Sequence, residues 1–78
     1  MKNKISHYDF VDPLILKILK ESKGAMTTLA INYRVNQSVG KTINLKIIRD
    51  HLIFLVKDQK VSRSTNRATD ITYYGIIG

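Results

Sequence analysis

The 78-residue chain has no cysteine, one proline (Pro13) and one glutamate (Glu21). Without cysteine there is no disulfide framework, no thiolate metal site and no cysteine nucleophile. A single glutamate leaves little for paired-carboxylate acid–base chemistry. His7 and His51 stand apart, with no spacing that suggests a metal. Asp50 and His51 are adjacent, and adjacent residues on a helix point apart. No run of about 18 apolar residues is present to cross a membrane. The first ten residues carry lysines but no apolar core of signal-peptide length. The expectation is a soluble, cytoplasmic, membrane-free protein, and the glycosylation sequon Asn36-Gln37-Ser38 then has no meaning. Gly40-Lys41-Thr42 matches the tail of a phosphate-binding loop. The glycine needed five residues earlier is Val35, however, and the segment follows a helical pattern rather than a strand. No enzyme activity, cofactor or metal is expected.

Positive charge is abundant. Thirteen lysines and arginines against six acids give a formal charge of +7. Positions 41–67 hold seven of the basic residues (Lys41, Lys46, Arg49, Lys57, Lys60, Arg63, Arg67) and two acids (Asp50, Asp58), so this third of the chain carries +5 of the total. Net charge alone speaks to solubility. Concentrated on one segment, it points to a polyanion partner. A chain this short buries only about 60% of its unfolded surface, so one compact core and a single domain over 1–78 are expected.

The chain punctuates itself clearly. Asp12-Pro13 reads as a helix cap followed by proline at the first helical position, and Leu14, Ile15, Ile18 and Leu19 recur at helical spacing up to Lys23, with Gly24 as the stop. Ala25 and Met26 form a link that can pair as a short strand. Thr27 or Thr28 caps a second helix whose apolar positions are Leu29, Ala30, Tyr33, Val35 and Val39, and Gly40 ends it. Lys41-Thr42-Ile43 is a turn. Asn44 caps a third helix over 44–58, where Ile48, Leu52 and Leu55 make one buried stripe.

After Lys60 the period changes. Positions 61–64 and 71–77 are rich in β-branched and aromatic residues, and the polar stretch 65–70 between them suits a hairpin turn. In the second strand Ile71, Tyr73 and Ile77 fall on one face and Thr72, Tyr74 and Ile76 on the other, one of which should cover the helices. Three helices followed by a β-hairpin give an α+β fold, the winged helix-turn-helix. Residues 1–10 are left as either an arm or an extra strand.

The run Ile48-Arg49-Asp50-His51-Leu52, with Leu55 three residues on and a short turn into Val61, resembles the recognition-helix passage of winged helix-turn-helix transcriptional regulators of bacteria and archaea. The closing Asp70-Ile71-Thr72-Tyr73-Tyr74-Gly75 resembles their returning wing strand. The similarity covers positions 13–78 and identifies a superfamily. It implies double-stranded DNA as partner, with the third helix in the major groove and the wing tip along the backbone or in the minor groove. Two departures stand out. The link 36–43 is long unless the second helix reaches Val39, and Gln59 stands where many relatives carry a turn glycine. The long C-terminal helix with which many relatives dimerise is not seen in this stretch, so any homodimer would be built otherwise, through Ile53, Phe54 or the N-terminal arm, and the sequence leaves the oligomeric state open.

On the third helix, Leu45, Lys46, Arg49, Asp50 and Ile53 remain on the outward side. Lys46 and Arg49 are three apart and share a face. Arginine there can bind guanine in bidentate fashion, and lysine can reach guanine or phosphate. Asp50 can accept from cytosine or orient Arg49. Asn44 has capping as its first task and DNA contact as its second. Arg63 and Arg67, with Asn66, fall on the wing, where arginine suits a narrow minor groove. Ser38, Lys41 and Thr42 are placed to meet phosphates, which fix register. His51 reads as a partly buried helix residue or a phosphate contact. Ile53, Phe54 and Val56 are surplus to one stripe, either packing beneath the wing or forming a protein-binding surface. The expected function is sequence-specific binding of duplex DNA by a transcriptional regulator. The alternatives are a winged helix that docks on a larger protein complex, or a non-specific nucleic-acid binder.

Overall fold

The computed structural model describes residues 10–22 and 24–77. In chain order the elements are α1 (Val11–Glu21), β1 (Met26–Thr27), α2 (Thr28–Val39), α3 (Leu45–Lys57), β2 (Val61–Asn66) and β3 (Ile71–Ile76). The three strands form one antiparallel sheet in the order β1-β3-β2. Tyr74 pairs with Met26 on one side and Arg63 on the other. The fold is α+β, three helices and a hairpin wing, as the sequence predicts.

α1 begins one residue before the expected cap, at Val11, with Phe10 in the cap position and no side-chain cap bond. Asp12 and Pro13 therefore both lie in the first turn. Proline costs no hydrogen bond there, because the first N–H groups of a helix have no partner within it. The helix stops at Glu21, ahead of the expected Lys23. The Ser22 hydroxyl donates to Gly24 O at 2.7 Å and accepts from Gly24 N at 3.3 Å, and this local turn competes with another helical turn. The C-cap is Ser22, in extended conformation, so Gly24 is not the helix stop.

α2 is capped by Thr27, whose hydroxyl accepts from Ala30 N at 3.2 Å, and it runs on to Val39. Gly40 then closes it with φ 80°, which removes the apparent excess length of the link to α3. Its buried face differs from expectation. Ile31 and Val35 are buried and Val39 is packed against the core, while Leu29 and Tyr33 are 68% and 62% exposed and Ala30 is exposed. At 3.6 residues per turn, positions two away from Ile31 point roughly to the opposite side, so the stripe 31, 35, 39 excludes Leu29 and Tyr33.

The core joins Val11, Ile15, Ile18 and Leu19 of α1 with Ile31 and Val35, with Ile43 from the turn, with Ile48, Leu52 and Leu55 of α3, and with Val61 and Tyr74 of the sheet. The sheet face that carries Tyr74 is thus the one that covers the helices. Val56 packs against this core, and Ile53 and Phe54 do not. α3 ends in a Schellman motif, with Lys60 N donating to Leu55 O and Gln59 N to Val56 O, both at 3.0 Å. Gln59 takes the left-handed conformation, φ 61°, that a glycine would adopt without strain.

Candidate nucleic-acid interface

The turn between α2 and α3 sets the angle at which α3 is presented, and two asparagines hold it. Asn32 Nδ2 donates to Ile43 O at 2.9 Å, and Ile43 N donates to Asn36 Oδ1 at 2.8 Å. A further bond, Asn36 Nδ2 to Asn32 Oδ1 at 3.4 Å, links the pair. Both backbone groups of Ile43 are satisfied while its side chain is 1% exposed and inserted in the core. The sequence carried a signal for this clamp, namely two asparagines four apart inside a helix, where their propensity is poor.

A second brace comes from below. His51 is 1% exposed, and its Nδ1 lies 2.6 Å from Asp12 Oδ1. Asp12 is therefore not the helix cap that its sequence neighbours suggest, and of the two readings of His51 the buried helix residue holds and the phosphate contact does not. Together Asp12 and His51 tie the first turn of α1 to the middle of α3. Their stripe leaves Leu45, Lys46, Arg49 and Ile53 exposed on the other side of α3 and Asp50 half-buried.

Asn44 is exposed and caps α3, its Oδ1 accepting from Lys46 N at 2.7 Å. With Lys46 and Arg49, and with Leu45 and Thr28, it lines an open depression between the N-terminal ends of α2 and α3. Thr28 is a member that sequence reasoning missed. Asp50 does not orient Arg49. It pairs with Lys46 at 3.6 Å, one helical turn away. Arg49 has no ion-pair partner among the described residues, and neither do Lys57, Arg63 and Arg67, whereas Lys60 pairs with Asp58 at 3.5 Å. A second depression, lined by Asp50, Ile53, Phe54 and Lys57, continues along α3 towards its C-terminal end.

Ser38, Lys41 and Thr42 are exposed, on the last turn of α2 and in the turn that follows. They do not line either depression of α3. On the wing, the register puts Arg63 on the face that carries Val61 and Tyr74, because alternate residues share a side. Beyond Val61 the β2 residues of that face, Arg63 and Thr65, are exposed, while Tyr74 of β3 is buried and Thr72 half-buried, and Thr65 and Thr72 join across it at 3.0 Å. Asn66 accepts from Ala68 N at 2.9 Å and Thr69 N at 3.3 Å, and Asp70 N donates to Asn66 O at 2.6 Å, so Asn66 shapes the wing turn. Arg67 projects from that turn, exposed. Among the described residues no three His, Asp or Glu side chains gather to hold a metal, and no helix is long and apolar enough to cross a membrane.

This architecture is that of a winged helix-turn-helix protein. A transcriptional regulator from Clostridium thermocellum shares it, with a TM-score of 0.77 and 20% identity over 99% of this chain and 75% of that one. No protein-family model and no curated protein sequence matches the chain.

Proposed function

We infer that this chain is a transcriptional regulator, a single domain that binds double-stranded DNA with sequence preference. α3 lies in the major groove and the β2–β3 wing on the flanking backbone or minor groove. The observation that carries the reading is the outward face of α3. Its first turns present Lys46 and Arg49 beside the capping Asn44, with Arg49 held by no acid. A 13-residue helix is about 20 Å long, which suits a groove about 12 Å wide. The longest dimension of the protein, 35 Å, matches about one turn of B-DNA. Arg49 supplies base readout, and Asp50 tethers Lys46 and offers an acceptor. Ser38, Lys41 and Thr42 meet the backbone, while Arg63 on β2 and Arg67 on the turn that Asn66 shapes reach the flanking groove. The likeness of fold to a regulator and the concentration of charge at 41–67 support the same reading. It places the protein in the cytoplasm, as expected of a bacterial or archaeal regulator, and asks for neither cofactor nor catalysis.

A homodimer through Ile53 and Phe54 would cover Asp50, next to Arg49, and Lys57, about two turns beyond it. We assign that face to DNA and take one copy as the binding unit. The N-terminal arm, the other dimer surface considered, lies outside the described residues apart from Phe10.

The test is a titration of fluorescent duplexes from the region flanking the protein's own gene, against scrambled duplex and single strand, at two salt concentrations. Binding that is duplex-selective, prefers the native flank and collapses on Lys46→Glu with Arg49→Glu is expected. Binding to every duplex alike would mark a non-specific binder. No binding to any would move the reading to docking on a protein partner.

A further inference from the structure

Resting on the reading above, we propose that Ile53 is a base-reading residue that packs against the 5-methyl group of a thymine in the major groove. Ile53 is 41% exposed, and unlike Val56 it is not packed against the core. Its depression runs on from the Lys46–Arg49 face and is flanked by Asp50 and Lys57. An apolar partner protein gains little from a site rimmed by Lys57 and lying beside Arg49, neither of which has an ion-pair partner among the described residues, because those charges would be desolvated without compensation. A DNA groove satisfies both features at once. Phosphates flank it on each side, and the thymine methyl is the apolar group it offers to a side chain such as isoleucine.

The spacing makes the inference specific. Arg49 and Ile53 are four residues apart on one face, about 6 Å along the axis at 1.5 Å per residue. Base pairs rise about 3.4 Å. A guanine read by Arg49 therefore lies within about two base pairs of the thymine read by Ile53. The outward face of α3 then recognises a short element holding both bases.

The probe is a pool of randomised duplexes, from which the wild-type chain selects a preferred element. Each thymine of that element is then replaced by deoxyuridine, which removes only the methyl group. Wild type is expected to lose about three- to fivefold in affinity at one thymine, the worth of one buried methyl group. Ile53→Ala should bind the thymine and deoxyuridine duplexes alike, with its circular dichroism unchanged because the side chain is outside the core. If an element is selected and no thymine methyl matters to the wild type, the assignment of Ile53 is overturned while the DNA reading stands. If nothing is selected, sequence-selective readout falls, and this inference with it. If Ile53→Ala converts a dimer to a monomer and keeps the thymine-methyl dependence, the face belongs to a second copy of the chain and the proposal is overturned.

Discussion

His51 Nδ1 and Asp12 Oδ1 lie 2.6 Å apart although 39 residues separate them in the chain, so the first turn of α1 is bonded to the middle of α3 beneath the face proposed to meet DNA. The imidazole is 1% exposed, and the carboxylate is its acceptor at the rim of the core, with the side chain of Asp12 24% exposed. Deleting one partner of a buried hydrogen bond costs the desolvation of the group left behind, about 1–3 kcal/mol. Asp12→Ala should destabilise the protein by that amount in urea denaturation. Asp12→Asn, which keeps an acceptor oxygen without the charge, should recover part of the loss. An Asp12→Ala chain within about 0.3 kcal/mol of wild type would show that the contact contributes nothing.

The clamp on Ile43 makes a second prediction. Asn32 and Asn36 serve adjacent groups of one peptide segment and also bond each other, so they should act as a unit. Asn32→Ala and Asn36→Ala are each expected to cost about 1 kcal/mol or more, and the double variant less than the sum of the two. Strict additivity in a double-mutant cycle would contradict the unit.

Gln59 and Gly40 predict opposite signs. Both occupy the left-handed region, at φ 61° and φ 80°. A side chain there costs roughly 1–2 kcal/mol, which glycine avoids, although glycine adds freedom to the unfolded chain. Gln59→Gly should therefore raise stability by about 0.5–1 kcal/mol. Gly40→Ala should lower it, although nothing lies within 4 Å of the added carbon. Because space is not at issue there, any loss at Gly40 measures conformation alone. Equal melting temperatures for all three proteins would refute the argument.

How far the sequence disclosed this fold depends on which force each residue answers to. The helix caps Thr27 and Asn44, the Gly40 stop and the stripe Ile48, Leu52, Leu55 are local signals, and the structure keeps all of them. Asp12 reads from its neighbours as a helix cap, and His51 as either a buried helix residue or a phosphate contact; their bond to each other is hidden because no local pattern encodes a contact 39 residues long. α2 was misphased because Leu29 and Tyr33 are apolar and yet exposed. Apolar type is a one-way guide, since much of any folded surface is apolar. On the candidate site, Lys46 and Arg49 were legible from helical spacing. The pairing of Asp50 with Lys46, the turn-shaping work of Asn66 and the membership of Thr28 needed coordinates, because they depend on rotamers and on how α2 approaches α3.

The division of labour between helix and wing gives the last prediction. Arg49 is assigned to base edges and Arg67, exposed on the wing turn, to the backbone or minor groove. Loss of a bidentate guanine contact costs about 1–3 kcal/mol and only on the correct sequence. Loss of a phosphate contact weakens every duplex and lowers the salt slope by about 0.9. Arg49→Ala should therefore reduce the ratio of preferred to scrambled affinity, whereas Arg67→Ala should leave that ratio nearly unchanged while flattening the dependence on salt. Both can be read from one set of anisotropy titrations at four salt concentrations. If Arg49→Ala weakened preferred and scrambled duplexes equally, α3 would be gripping phosphate rather than reading bases, and the regulator reading would give way to general DNA binding.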